Sequence, residues 1–450
     1  MPSDTVYGLV ASALCPDAVD ALVGQARQAY ARLPLAASAG GSVSRSGIPV
    51  GSLGLSVRSA EATGDFVLPV TNLTRRLRER CFPGPLTLVA DCREPGSAVE
   101  RLPESVQHHL VEAATGGVGE TEAGRDGEIA KWVTIRVADH RILSHIHRYL
   151  AAPLVWAELP AAGSTDDSEL VANQPIARAI TSADGLKAVL ELGKVDSDLP
   201  WPPLLLDDGI TRYGGWGTVV RAVGRTWTVV RDGVIQRAAM NQFAKPVIAI
   251  VCTGNTCRSP MAETLLRSLL LERFGREDVA QVVSAGLAAG RGGGATPQAI
   301  EVMGRHGLDL TGHCSRPLDD SLMTMADLVL TMTRRHREAI LAAWPDRSER
   351  VFTLRRDGGD VGDPVGMPVD VYFQCAEQIR QELNAWVDSL GESFFPVEAP
   401  EVDLNRHNNE TSATTIPSEA DATEPTDADF DNHAEQDAGD GPGPTDRPDL

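Results

Sequence analysis

The run Val251-Cys252-Thr253-Gly254-Asn255-Thr256-Cys257-Arg258-Ser259-Pro260 sets a thiol and a guanidinium six positions apart across a short polar loop. A thiol attacks phosphorus only as the thiolate, and a free cysteine is mostly protonated at neutral pH. Arg258 offers a planar fork that grips two phosphoryl oxygens at once, which lysine cannot do. Thr253, Gly254, Asn255, Thr256 and Cys257 are the candidates to surround the phosphoryl group, and Ser259 is placed to hydrogen bond the sulfur. Gly254 is expected to let the backbone approach closely, and Asn255 suits a left-handed turn that its own amide can brace. Together these residue types permit phosphoryl transfer through a covalent cysteine intermediate. Such a reaction needs an acid for the leaving group and later a base for water. Asp363 in Gly362-Asp363-Pro364 is the candidate, because the proline fixes the loop that carries it.

The flanking segments are predicted to position these groups. Val247-Ile248-Ala249-Ile250-Val251 is an apolar, β-branched run that predicts a buried parallel strand. A helical pattern follows from Met261 to Phe274, with Leu265, Leu266, Leu269 and Leu270 on one face. A strand, a tight loop and a helix bring backbone N–H groups and the positive helix end to one point, which is an anion site. The same field favours the ionised form of Cys252. A lone cysteine at a strand end is ordinarily a small buried hydrophobe, and Asp-Pro ordinarily marks a turn. It is the combination with Gly-Asn, Arg-Ser-Pro and the strand-loop-helix context that argues for catalysis. Cys257 has two readings: it fills the base of the loop, or it captures an oxidised Cys252 as a reversible disulfide.

These motifs resemble those of the low-molecular-weight protein-tyrosine phosphatases. The resemblance spans residues 246–393 and includes Ser284-Ala285-Gly286, Gly307-Leu308-Asp309, His313-Cys314-Ser315-Arg316, the segment from Ala326 to Met332, Gly362-Asp363-Pro364 and Val369-Asp370-Val371-Tyr372. It implies a doubly wound parallel-sheet domain with Cys252 as nucleophile, Arg258 as phosphate clamp and Asp363 as general acid, needing no cofactor or metal. Tyrosine-directed members usually carry Ile or Leu where this chain has Thr256, and aromatic residues where it has Val365, Gly366 and Met367. The bacterial members that remove phosphate from arginine resemble it more closely, down to that threonine. A polar Thr256 and the Asp363 carboxylate suit a guanidinium better than a ring, so protein phosphoarginine is expected ahead of phosphotyrosine.

With 450 residues, the chain has room for two or three domains. Its mean hydropathy of -0.13, the lack of a run long enough to span a membrane and an N-terminus without a basic-then-apolar pattern exclude a membrane partner from the expectation. Seven cysteines, an odd number widely scattered, do not read as a secreted disulfide framework. A reducing cytoplasm suits a chain that needs a free thiolate. Of the formal charge of -21, about -13 resides from Val397 onward, with 15 acidic and 2 basic residues. That segment, 397–450, is expected to be a disordered acidic tail, since it has too little apolar surface to offset its ordering entropy.

Residues 1–240 alternate apolar runs with helical patterns and predict a mixed-sheet α/β domain. Strands are expected at 86–89, 132–137, 203–206, 218–220 and 226–230, with a helix between His140 and Leu150 and a short join at 242–246. Pro2-Ser3-Asp4-Thr5-Val6-Tyr7-Gly8-Leu9, Phe82-Pro83-Gly84-Pro85-Leu86-Thr87, Val133-Thr134-Ile135-Arg136-Val137 and Gly217-Thr218-Val219-Val220 resemble the YrdC-like threonylcarbamoyl-adenylate synthases, in the right order. The resemblance implies a site for ATP with magnesium, threonine and bicarbonate, in transfer RNA modification, and it would begin inside the first motif. The departures count more. Members carry Lys-x-Arg after the Tyr-Gly motif, but this chain has no lysine before Lys131. Their Ser-x-Asn is replaced by Ala157-Glu158-Leu159-Pro160, and Ser-Thr-Val by Gly217-Thr218-Val219. A triphosphate needs compensating charge, so the synthase activity is expected to be lost rather than retained. Residual nucleotide or RNA binding through Thr5, Arg136 and Thr218 stays open. The run Arg75-Arg76-Leu77-Arg78-Glu79-Arg80 is either an RNA contact or an exposed helix face.

Overall fold

The computed structural model describes residues 1–32, 44, 46–115, 131–161, 170–171, 174–175, 179–192 and 204–399. Its strands are β1 (Gly8–Ser12), β2 (Leu53–Ser56), β3 (Leu86–Asp91), β4 (Trp132–Arg136), β5 (Leu154–Glu158), β6 (Leu170–Val171), β7 (Gln174–Pro175), β8 (Thr218–Val223) and β9 (Thr226–Arg231) in the first half. The second half adds β10 (Val247–Cys252), β11 (Gln281–Gly286), β12 (Leu328–Thr331), β13 (Val351–Thr353) and β14 (Val397–Glu398). The helices are α1 (Pro16–Ala31), α2 (Asn72–Cys81), α3 (Glu104–Thr115), α4 (Arg141–Tyr149), α5 (Ala183–Leu192), α6 (Arg237–Ala244), α7 (Arg258–Phe274), α8 (Pro297–Arg305), α9 (Asp320–Met325), α10 (Arg334–Ala343) and α11 (Val369–Leu390).

The first sheet runs in the order β1-β5-β2-β4-β3-β8-β9-β14. Its β1–β5, β5–β2, β4–β3 and β8–β9 pairs are antiparallel, whereas β2–β4, β3–β8 and β9–β14 are parallel. This is the mixed α/β layer that the alternating runs predict. One expected strand is absent: residues 204–206 are not in a sheet and Leu204 is 82% exposed, so an apolar run without a neighbour stays irregular. Pro203 lies outside the described residues. The join at 242–246 begins as the last turn of α6, whose Met240 and Ala244 are buried.

The second sheet, β11-β10-β12-β13, is parallel throughout. Every residue of β10 is buried. Val247, Ala249 and Val251 pack towards Met323 of α9 and Ile340 of α10. Ile248, Ile250 and Cys252 pack towards α7 and α11 through Leu265, Leu269, Ile379 and Leu383. Period-two side chains thus feed two cores, and helices cover both faces, which explains the near-continuous apolar strand. All four leucines predicted for one face of α7 are buried. The helix ends at Gly275, which takes the left-handed φ of 71° and donates its N–H to Leu271 O.

Val397 and Glu398 depart from the expected tail. They pair with Thr226 and Trp227 of β9, and Val397 N–H donates to Arg225 O at 3.0 Å. An open sheet edge offers unpaired backbone groups, and these residues satisfy them. The rest of the acidic segment, 400–450, lies outside the described residues.

The basic run 75–80 occupies α2, where Thr71 and Thr74 form a reciprocal cap. Three of its four arginines converge on one buried carboxylate, Asp327, immediately before β12. Arg75 lies 3.2 Å, Arg76 3.0 Å and Arg80 2.6 Å from it. Asp327 also accepts Val247 N–H at 2.8 Å, and Arg80 donates to the carbonyls of Phe243, Lys245 and Met325. Arg76 donates to Phe394 O and lies 4.7 Å over its ring. Burial lowers the Arg76 guanidinium to about 10, against the pull of Asp327, so it stays cationic at neutral pH. The helix face is therefore neither free nor solvated; it clamps the first half onto the second. Asp327→Ala leaves three cations around an empty site and is expected to cost about 3–5 kcal/mol. Denaturant unfolding of the whole chain checks this, and an unchanged midpoint would contradict the clamp.

Candidate active site

The loop follows the C-terminal end of β10, and Arg258 opens α7. Asn255 turns the chain with φ 55°, the single positive φ outside glycine among the described residues. A left-handed backbone costs an ordinary residue roughly 1–2 kcal/mol, but asparagine tolerates it and here offsets the cost with three bonds. Its Nδ2 donates to Ser259 Oγ at 3.0 Å and Ser284 Oγ at 2.9 Å, and its Oδ1 accepts Arg316 N–H at 2.8 Å. His313 Nε2 hydrogen bonds Asn255 O at 2.7 Å.

This bracing aims donors at sulfur. Asn255 N–H donates to Cys252 Sγ at 3.2 Å, and Ser259 Oγ lies 3.0 Å from it. Cys252 is buried at the strand end while Thr253 is exposed, so the thiol sits at the floor of a loop that opens to solvent. Arg258 is 4% exposed. One guanidinium nitrogen donates to Val361 O at 3.1 Å, and the other to Asp363 Oδ2 at 2.5 Å. Asp363 is half-exposed, with its other oxygen accepting Val365 N–H at 3.2 Å. The fold thus brings Asp363, 105 positions further on, to the Arg258 that shares its loop with Cys252. Their arrangement permits attack by sulfur, clamping of oxygens and proton transfer at one mouth.

The remaining loop residues take distinct places. Thr256 is half-buried, and its carbonyl accepts Thr296 N–H. Cys257 Sγ lies 3.5 Å from Thr296 Oγ1 and 3.6 Å from Tyr372 Oη. The close-approach glycine is a different one from that expected. A Cβ on Gly254 would meet only Thr256 Oγ1, at 3.6 Å, whereas one on Gly286 would lie 2.6 Å from Thr253 O and 2.9 Å from Asn255 N. The loop folds back over β11, so the neighbouring strand must be bare there. Sequence reasoning also missed His336, whose Nε2 hydrogen bonds Thr253 Oγ1 at 2.9 Å. Its only signal is the helix start, where Thr333 Oγ1 accepts the His336 N–H.

The first-half candidates also meet. Arg136 donates to Thr5 Oγ1 at 3.2 Å, but it also pairs with Asp4 at 2.5 Å and Glu158 at 3.3 Å. Arg231 takes the other oxygen of Glu158 at 2.6 Å. All four ionic groups are buried. Thr218 Oγ1 donates to Ile235 O and accepts Ile235 N–H, so its hydroxyl is engaged. The cavity beside Arg136 and Glu158 measures about 20 Å³, room for a water and far from that of a nucleotide. Among the described residues, one cluster has potential metal donors, His108, His109 and Glu112, and it is engaged internally through Asp20 and Arg27.

Residues 247–394 match the family described as low molecular weight phosphotyrosine protein phosphatase. The chain is 43% identical over 147 residues to a protein-arginine-phosphatase of Bacillus subtilis (strain 168), covering 32% of this chain and 95% of that protein. It is 37% identical over 144 residues to a probable low molecular weight protein-tyrosine-phosphatase, EpsP, of Ralstonia nicotianae, covering 32% of this chain and 94% of that protein. It is 34% identical over 145 residues to the low molecular weight protein-tyrosine-phosphatase Wzb of Escherichia coli (strain K12), covering 32% and 94% respectively. If Asn255 holds the loop, Asn255→Ala should lower kcat by roughly 10²-fold, on the scale of losing one preorganised donor, with a smaller change in KM. Steady-state kinetics on a phosphorylated substrate check this, and an unchanged kcat would contradict it.

Proposed function

Because the chain belongs, through residues 247–394, to the low molecular weight phosphotyrosine protein phosphatases, we propose that it hydrolyses protein phosphoarginine by way of a phosphocysteine on Cys252. Phosphatases of this family need no cofactor. In this reading the Cys252 thiolate attacks phosphorus, and Arg258 leaves Asp363 to hold two phosphoryl oxygens. The P–N bond breaks as protonated Asp363 gives its proton to the departing guanidine nitrogen. The resulting Asp363 carboxylate then takes a proton from water, whose oxygen attacks the phosphocysteine and releases phosphate and the thiolate.

The observation that carries the choice of arginine is the wall of the site. Thr256, half-buried, carries a hydroxyl in place of the Ile or Leu usual in tyrosine-directed members, and Asp363 is followed by exposed Val365, Gly366 and exposed Met367 rather than by rings. The nearby aromatic side chains are engaged elsewhere, Tyr372 buried against Cys257 and Phe373 stacked on His306. Without a ring to stack on, a phenol loses its main packing partner, whereas a guanidinium keeps its carboxylate partner. The similarity to the Bacillus subtilis protein-arginine-phosphatase supports the same reading.

Residues 1–240 are, in this proposal, a divergent YrdC-like domain that makes no threonylcarbamoyl-adenylate and binds no nucleotide. Its support is chemical: among the described residues, Arg136 and Arg231 are already paired with Asp4 and Glu158, so neither is available to a triphosphate. RNA finds little support in the 75–80 run, three of whose four arginines are spent on Asp327. No helix of the described residues is long and apolar enough to cross a membrane, and all seven cysteines are free. We assign the protein to the cytoplasm on the second ground, since thiols persist in a reducing compartment.

Two measurements test these readings. Matched peptides carrying phosphoarginine or phosphotyrosine should give a kcat/KM ratio favouring arginine, and Thr256→Ile should lower that ratio by about tenfold or more, the equivalent of 1.4 kcal/mol. A preference for tyrosine in the parent would sink the proposal. Calorimetric titration of the whole chain with ATP and magnesium should show no binding in the micromolar range; saturable binding there, or pyrophosphate release with threonine and bicarbonate, would overturn the loss of the synthase site.

A further inference from the structure

His336 stands beneath the phosphate loop but plays no part in the chemistry described so far. Its backbone N–H is fixed to the Thr333 hydroxyl at the start of α10, and its ring is largely buried. Nε2 reaches Thr253 Oγ1 at 2.9 Å, on the residue after the nucleophile. Nδ1 is buried and has no hydrogen-bond partner. The charged groups around the ring are Arg258 from α7, Asp363 and Asp360 from the loop after β13, and Arg335 from its own helix. Burial, then Arg258, holds the imidazole below its ordinary range, so it is neutral at pH 7.

We propose that His336 is a proton-coupled positioning residue, which braces Thr253 while neutral and takes up a proton when a phosphoryl dianion fills the loop. Arg258, the cation that acts most strongly on the ring, is paired with Asp363. A dianion entering the loop draws Arg258 to itself and adds two negative charges beside a buried imidazole. Both changes favour the imidazolium, because nearby negative charge raises the proton affinity of a histidine. The proton comes from solvent, and no covalent bond changes. By reciprocity, whatever protonates His336 must tighten the dianion, and the factor is the same in both directions. The sign follows: the enhancement is present at low pH and is lost as pH rises through the histidine's bound-state value. Product phosphate would then leave more readily at higher pH, with the proton returned to solvent.

The inference rests on the reading of the loop as the phosphate site, and the experiment keeps the two apart. Sulfate is a dianion that does not titrate between pH 5.5 and pH 8, and Cys252→Ser removes the titrating thiol. Sulfate binding to the whole Cys252→Ser chain is measured by calorimetry in buffers of different ionisation heat. The expected results are net proton uptake on binding and an affinity that rises about tenfold for each unit separating the free and bound values of His336. His336→Asn in the same background keeps a donor for Thr253 but should take up fewer protons than the parent and lose the part of the pH dependence that belongs to His336, leaving only what Asp363 contributes once Arg258 has left it. A second readout avoids the variant: the His336 ring resonances should titrate at higher pH with sulfate than without. Sulfate that binds with equal proton uptake in His336→Asn, or without moving the His336 titration, would overturn the proposal and leave the phosphate site standing. Sulfate that does not bind at all would overturn both.

Discussion

The left-handed turn at Asn255 is the constraint on which the active site depends. A loop of alternating turns between a strand and a helix would ordinarily splay, because nothing in its own backbone fixes where its amides point. Asn255 takes the one unfavourable conformation and ties it down with bonds to Ser259, Ser284 and the backbone of Arg316. Those partners belong to α7, β11 and the loop that precedes α9, so the turn is locked by three separate pieces of the fold. Ser259, held by Asn255, is then free to face Cys252. Gly286 clears the space into which the loop folds, since any side chain there would strike the Thr253 carbonyl. The order of causes runs from a bare strand and a braced turn to a thiol met by donors, and from there to a nucleophile.

The opposite end of the same sheet carries the second constraint. Asp327 sits at the N-terminal ends of the parallel strands, bonded to Val247 N–H, while Cys252 ends β10 roughly 17 Å away at about 3.3 Å per residue. Docking and chemistry therefore use opposite ends of the strands, which lets α2 clamp the two halves together without crowding the site. A buried carboxylate among three arginines is a poor source of net stability, but removing it leaves those arginines uncompensated. The strand Val397–Glu398 adds a second tie by returning the chain to the first sheet.

The candidate phosphate loop was legible in the sequence because a strand, a tight loop and a helix are a local pattern, and Cys252, Arg258 and Asn255 sit inside it, while Asp363 was marked by its Asp-Pro. The parallel strand β10 and the buried face of α7 were legible for the same reason: periodicity reports which faces are covered. What could not be read was long-range. Arg75, Arg76 and Arg80 look like a solvated basic stripe until the fold supplies Asp327, some 250 positions later. Residues 204–206 look like a strand until no neighbour is found for them. Glu158 was legible as a liability to an anion site, but its bond to both Arg136 and Arg231 depends on strands β4, β5 and β9 coming together. Gly254 and Gly286 are alike in sequence, and only the packing of the loop on β11 says which of them must lack a side chain.

On the proposed function the molecule has a single centre of chemistry, at the loop that follows β10. Its first half uses its charges on itself and on its neighbour. Its second half holds a buried thiol and a buried guanidinium, with a half-exposed carboxylate at the mouth. The most direct test of that account is to ask where phosphate goes. Cys252→Ser whole chain is mixed with a phosphoarginine protein, and the phosphoryl group is located by peptide mass spectrometry. The account predicts one phosphoryl group, on residue 252, acquired faster from phosphoarginine than from phosphotyrosine and reduced by Asp363→Ala. Phosphate absent from residue 252, or delivered there only by phosphotyrosine, would contradict it.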